Sequence, residues 1–318
     1  MLGELIAILA VLTFVGSNVM FRKTEHEFSP SYINFFRTAI GTITFIIIAL
    51  FMNSLSLIFL IPWELWLILI LSFVFGQVVG DTAYFIAQKE LGTTIALAVS
   101  MTFPLFTFIL SLIFLNEPFK LNLILSLILI GFGITIIGKS KTNFDISAEN
   151  FPSKSNVSKP LSEEIIKAIG FCFIASLGWA IGAVLIKFGI DRIDEIILVN
   201  ELSSIIGNVI RFPFAFLILG SMVWRENYIK RKNNSFRKKK SLNLWMLLLS
   251  ASIIGTSFGA YLYTESVHLA GPSIVSLIAS ASPLFAFPLT YLVNKEKISK
   301  FGFIGVILTI LGVIVILI

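Results

Sequence analysis

Ten stretches of about twenty mostly apolar residues follow one another along the chain, near 3–21, 32–52, 64–87, 94–115, 121–138, 165–187, 196–222, 244–266, 273–293 and 301–318. A helix rises about 1.5 Å per residue and the hydrocarbon core of a bilayer is about 30 Å thick, so each stretch has the length of one membrane-spanning helix. Hydrophobic residues make up 57% of the 318 positions and charged residues 13%, against about 25% charged in soluble domains. No soluble fold could cover that much apolar surface. The expected fold class is an all-α integral membrane protein of ten transmembrane helices, multi-pass in the cell membrane. The first stretch has no Lys or Arg before it and no A-x-A cleavage pattern after it, so it reads as a helix and not as a signal peptide. Cys172 is alone, which excludes a disulfide framework and makes it a small buried hydrophobe.

Two polar stretches interrupt the pattern. Residues 140–164, rich in Ser, Asn and Lys with Pro152 and Pro160, read as a linker between five runs (1–139) and five more (165–318). Residues 225–243 carry eight cations and one acid; between two spans, such a cluster faces lipid headgroups or sets topology, and nucleic acid is not an expected partner. Nineteen of the 24 Lys and Arg fall in loops after odd-numbered runs and three in loops after even-numbered ones. On the positive-inside rule this places the odd loops in the cytoplasm and both termini outside.

The chain also repeats itself. A shift of 179 residues superimposes Gly76 on Gly255, Gly80 on Gly259, Tyr84 on Tyr263, Gly92 on Gly271, Pro104-Leu105-Phe106 on Pro283-Leu284-Phe285, Glu117 on Glu296 and Gly133 on Gly312. Shifts of 165 and 174 align the earlier helices, setting Phe14, Ser17, Asn18 and Arg22 on Trp179, Gly182, Ala183 and Lys187, and Asn34-x-x-Arg37 on Asn208-x-x-Arg211. Five crossings per copy leave the chain on the opposite side of the membrane, so the second copy is expected to enter inverted. Inverted repeats are a hallmark of carriers that alternate between two openings around a midplane site.

These residues, F/W-x-x-S/G in the first helix of each copy, an Arg in the second, G-x-x-x-G-x-x-x-Y in the third, Pro-Leu-Phe in the fourth, Glu before the fifth and a Gly-rich fifth helix, resemble EamA-type members of the drug/metabolite transporter superfamily. The resemblance covers nearly the whole chain outside the linker and the basic loop. It implies a ten-helix transporter of small metabolites, often amino acids or their relatives and frequently working outward. Many members carry basic termini and keep both ends in the cytoplasm; the uncharged termini here depart from that pattern.

An ionisable side chain within a span costs roughly 2.5–3.5 kcal/mol on insertion scales, so each one is a functional candidate. Arg37 and Arg211 stand out because they are equivalent in the two copies. A guanidinium fork suits a carboxylate-bearing substrate; the structural alternative is that Arg37 snorkels to the interface and that Glu201 or Asp81 neutralises Arg211. Asp81 has no repeat partner, Ala260 standing at its equivalent, and could carry a coupling proton or simply balance Arg37. Asn34, Asn208, Tyr84, Tyr263, Trp179, Asn18 and Gln77 offer polar edges to a substrate or to neighbouring helices. Pro104 and Pro283 are expected to kink their helices and shape a cavity or flex in gating. Glu117 and Glu296 precede the fifth and tenth runs, where a carboxylate favours the positive end of a helix dipole. Glu265-x-x-His268 has half of a di-metal spacing, and without a second such motif no metal site is expected.

The function expected is a secondary transporter of small, carboxylate-bearing solutes by alternating access, with no cofactor and with protons as the coupling ion. The absence of a G-x-x-x-x-G-K-[ST] motif argues against ATP as the energy source. An intramembrane enzyme needs a second carboxylate or a nucleophile with its base in the bilayer, and Gly80-Asp81 has no such companion. A non-transporting sensor or scaffold on the same fold is the remaining alternative.

Overall fold

The computed structural model describes residues 1–91, 93–118, 121–148, 163–198, 200–232, 241–282, 285–286, 288–289 and 300–317. Among these, every regular element is helical. We number them α1 (Leu2–Thr24), α2 (Pro30–Phe51), α3 (Trp63–Leu91), α4 (Thr93–Ser100), α5 (Phe103–Phe114), α6 (Leu121–Ala148), α7 (Glu163–Ile197), α8 (Asn200–Lys232), α9 (Leu242–Ala270), α10 (Pro272–Ser280) and α11 (Lys300–Leu317). A 3₁₀-helix of six residues, Leu55–Leu60, joins α2 to α3. Six of the helices, α1, α2, α3, α7, α8 and α9, are long and apolar enough to cross a bilayer, and Phe103–Phe114 and Leu121–Gly133 are shorter apolar helices. The chain is therefore a helical multi-pass membrane protein.

The helix ends follow local chemistry. Ser29 caps α2 by accepting from the Tyr32 N–H, with Pro30 in the first turn where its missing donor costs nothing. Ser241 caps α9 in the same way. Gly271 ends α9 at φ +84°, a conformation that side chains with a Cβ avoid, and Pro272 opens α10 directly after it. Glu117 reaches across the bundle to this junction, accepting from the Ser273 hydroxyl in the first turn of α10.

The fourth apolar run is not one kinked helix. It is broken at Met101-Thr102 into α4 and α5, and Pro104 lies in the first turn of α5. The expectation that Pro104 removes a bond inside a helix is thus corrected: the break precedes the proline, which occupies a position where no intrahelical donor is needed. Pro283 and Glu296 lie outside the described residues. Among the described residues, Pro213 stands inside a helix, α8.

Two features recur at the positions that the 179-residue shift equates. Val74–Asp81 of α3 and Ile253–Phe258 of α9 are both π-helical, each a local widening of an otherwise α-helical span. Both widened segments pack through glycine. A Cβ on Gly182 of α7 would stand 2.9 Å from the Ser72 carbonyl of α3, and one on Gly178 would stand 2.6 Å from the Phe75 carbonyl. On the other side, a Cβ on Gly259 of α9 would meet the Thr13 hydroxyl of α1 at 2.6 Å, and one on Gly255 would overlap Ser17. Thr13 and Ser17 are the residues that the 165-residue shift sets on Gly178 and Gly182. The third helix of each half thus lies on the first helix of the other, through the same positions. Small residues permit such close approach, which supplies the packing that lipid does not.

Remaining helices complete the bundle. α2 packs on α8, where Phe212 fits over Gly41 and between Phe45 and Phe73, at ring distances of 4.9 and 4.4 Å. α6 and α11 pair with one another, with Gly312 against Ile130. Cys172 is free and buried within α7.

Candidate functional site

Where the two π-helical segments face the middle of the bundle they leave a cavity of about 150 Å³. Helices α1, α2, α3, α7, α8 and α9 line it, together with residues at the α4–α5 break and at the end of α10. Its wall contains pairs that the repeat equates: Phe14 and Trp179, Arg37 and Arg211, Gly76 and Gly255, Asp81 and Ala260, Phe103 and Ser282. Among the described residues, none of α6 or α11 lines it. Much of the wall is apolar, and the polar groups that reach it are few and specific.

Six of the residues singled out from the sequence meet here: Arg37, Gln77, Asp81, Trp179, Arg211 and Tyr263. The two arginines, equivalent in sequence, are not equivalent in environment. Arg37 Nη2 donates to Asp81 Oδ2 at 2.9 Å, with both side chains over nine-tenths buried. The second oxygen of Asp81 accepts from the Trp179 indole at 2.8 Å. Gln77 fits between them: in the orientation that satisfies its amide, the nitrogen donates to Asp81 Oδ2 at 3.0 Å and the oxygen accepts from Arg37 at 3.3 Å. The rings of Phe85 and Phe21 cover the guanidinium at 5.3 and 5.8 Å. A buried charge held by a partner, hydrogen bonds and aromatic faces is a closed electrostatic unit.

Arg211 has no such partner. Its Nε donates to Asn208 Oδ1 at 2.8 Å and its Nη2 to the Thr264 hydroxyl at 2.7 Å, both neutral groups. Phe73 lies beneath the guanidinium at 4.9 Å. Its Nη1 is buried without a protein acceptor, and among the described residues no carboxylate pairs with it. Glu201 lies ten residues earlier on α8, about 15 Å along the axis, and Asp81 is taken by Arg37.

The asparagines stand behind the arginines and not on the cavity wall. Asn34 donates to the Gln77 carbonyl at 2.8 Å and to Thr82 at 2.9 Å, satisfying backbone in the π-helical segment of α3. Asn208 accepts from Arg211 and, at 3.3 Å, from Thr264. Tyr84 and Asn18 are buried away from the cavity. His268 does not turn to Glu265; its Nδ1 lies 2.9 Å from Asp191 Oδ1, and Lys187 donates to the same carboxylate at 2.8 Å. Sequence reasoning missed the aromatic shelves Phe73 and Phe85, because a phenylalanine in an apolar run carries no signal of what it covers.

Long apolar helices packed around a central cavity define the class, a helical multi-pass membrane protein. The chain belongs to the EamA-like transporter family, whose profile matches residues 1–139 and 166–318. It is similar to an uncharacterized transporter of Archaeoglobus fulgidus, 23% identical over 317 residues, 100% of this chain and 98% of that one. It is similar also to a WAT1-related protein of Arabidopsis thaliana, 23% identical over 312 residues, 97% of this chain and 75% of that one. A solved crystal structure shares the fold with a TM-score of 0.69 at 15% identity, covering 98% of this chain and 95% of that one.

Proposed function

We propose that the chain is a secondary transporter in the cell membrane that carries a small solute bearing a carboxylate or similar anion, and that Arg211 holds the anionic group. The observation that carries this reading is the uncompensated guanidinium at the cavity wall. A cation within a span costs roughly 2.5–3.5 kcal/mol on insertion scales, and the Phe73 face offsets only part of that. A solute anion completes the missing half of the pair. The volume of about 150 Å³ suits a solute of modest size, since an engineered protein cavity of about that volume holds one benzene.

Ten spans in two inverted copies, 1–139 and 165–318 joined by the linker 140–164, with both termini outside, are the topology within which this site works. The reciprocal packing of α3 on α7 and of α9 on α1, at repeat-equivalent glycines, supports it. In such an arrangement the two halves exchange conformations around a fixed midplane site. Asp81 is the proton site of the cycle. Protonated, it releases Arg37, and the cavity then offers two guanidinium groups to one anion.

Reconstituted vesicles, assayed for uptake of radiolabelled carboxylic and amino acids with and without a pH gradient, test this. The expected result is transport of an anion-bearing solute, with a tenfold or greater loss of affinity in Arg211→Lys, because a lone ammonium does not reproduce the guanidinium fork. Transport confined to solutes without a negative group, or unchanged affinity in Arg211→Lys, refutes it.

A further inference from the structure

Among the described residues, four buried polar atoms that lack a protein partner lie on α1 and α3, outside the cavity. Asn18 is fully buried and neither amide atom has a partner; the Tyr84 hydroxyl and Gln88 Oε1 are buried and unpartnered as well. Leaving a buried polar group unsatisfied is unfavourable, and proteins meet that cost with bound water.

These groups form a line. Gln77, Asp81, Tyr84 and Gln88 succeed one another at spacings of four, three and four on α3, which puts them on one helical face. α1 runs beside that face in fixed register: Phe14 packs on Tyr84 at 6.4 Å, Phe21 on Phe85 at 5.8 Å, and Arg22 Nη1 donates to the Gln88 carbonyl at 2.7 Å. Asn18, one turn from Phe14 and one from Arg22, therefore lies level with the gap between Tyr84 and Gln88. At one end stands Asp81 in the cavity. At the other, about 10 Å further along α3, stands Glu25, only 3% exposed. It accepts from the Gln88 side chain and, at 2.6 Å, from Arg22. Tyr84 lies within electrostatic reach of both carboxylates.

The line exists in one half only. The repeat sets Ala260 and Val267 on Asp81 and Gln88, and Ala183 and Ile190 on Asn18 and Glu25. It therefore leads to a single membrane face, where α1 and α3 both end. Gly3, at the other end of α1, lies beside Ala270, so the opposite face is the one where α9 ends.

We propose that Glu25, Gln88, Asn18 and Tyr84 form a water-threaded proton lane that connects one membrane face to Asp81; this rests on the reading of Asp81 as the proton site. The Glu25 acid gives its proton to water held by Gln88. The proton passes through water against the Asn18 amide and through the Tyr84 hydroxyl, which accepts one proton as it releases another, and ends on the Asp81 carboxylate. Glu25 recovers its proton from solution at the membrane face, so one proton in all crosses from that face to Asp81, and the ion pair with Arg37 is broken. Arg22 and His26 are the charged or titratable neighbours that act on Glu25 from its own segment, and Tyr84 is the titratable group of α3 that feels its charge. Burial nevertheless holds its carboxyl above the ordinary range, against the pull of Gln88 and Arg22, as suits a group that must carry a proton inward.

The experiment uses the full chain in lipid nanodiscs with Trp63, Trp66, Trp224 and Trp245 replaced by Phe, so that Trp179, bonded to Asp81, reports its protonation by fluorescence. The expected result is an equilibrium titration abolished by Asp81→Asn. In Glu25→Gln and in Tyr84→Phe the response to a stopped-flow pH jump is slowed tenfold or more, with the titration midpoint unchanged. A merely structural role would move the midpoint and not the rate. Hydroxyl-radical footprinting is expected to label Tyr84, although it is 1% exposed. A titration present in the parent protein with unchanged rates in both variants overturns the lane and leaves the Asp81 reading intact. Absence of any Asp81-dependent titration overturns both.

Discussion

One substitution made at two positions of the same helix should have different consequences. Gly170 and Gly182 both lie in α7. A Cβ at Gly170 meets nothing within 4 Å, whereas a Cβ at Gly182 stands 2.9 Å from the Ser72 carbonyl and 3.1 Å from the Gly76 Cα. Both replacements by Ala gain the same helix propensity, about 1 kcal/mol. At Gly182 the added carbon must push α3 away by several tenths of an ångström along the seam where its backbone is π-helical, and such overpacking costs roughly 1–3 kcal/mol. Gly170→Ala should therefore raise the stability of the detergent-solubilised protein by up to about 1 kcal/mol, and Gly182→Ala should fall below it by about 1–3 kcal/mol. Denaturant unfolding followed by circular dichroism measures the difference directly. Equal stabilities of the two variants would refute the close α3–α7 contact, and with it the reciprocal packing of the two halves.

Two further outcomes follow from buried charge. Breaking the Arg37–Asp81 pair from either side, by Arg37→Met or Asp81→Leu, should destabilise by about 3–5 kcal/mol because one charge is stranded, while the double variant should recover most of that loss; a double variant no better than its worse single, in the same unfolding assay, contradicts the pairing. Because Glu25 is held above its usual value of 4.5 in the folded protein, the folded state binds the proton more tightly than the unfolded state. The stability this confers is fully present below pH about 4.5 and is lost as pH rises through the folded value. Glu25→Gln should flatten that limb of a thermal-stability profile against pH, and an unaltered profile would show that Glu25 is not the group responsible.

Much of the architecture can be read from composition, because partition into a bilayer depends on local apolar content summed over about twenty residues. Chain order and the repeat likewise show that Arg37 and Arg211, and Gly76 and Gly255, are equivalent positions. What those positions touch depends on atoms far away in the chain. The π-helical turns are one case: nothing in Val74–Asp81 distinguishes it from an α-helical segment until Gly178 and Gly182 come against it. The break before Pro104 is another, since a proline in an apolar run serves equally as a kink or as a first-turn residue.

The arginines mark the boundary most clearly. The sequence by itself determined that two costly cations stand at matching sites in two copies of a helical unit, and that these copies belong in a membrane. It also placed a carboxylate, Asp81, in one copy against Ala260 in the other; only the tertiary structure decided which cation that carboxylate meets. Asp81 of α3 comes within 2.9 Å of Arg37, while the corresponding helix of the other half offers Arg211 the neutral hydroxyl of Thr264 at 2.7 Å. Charge compensation is set by distances of a few ångströms between helices that are remote in sequence, and no local pattern encodes such distances.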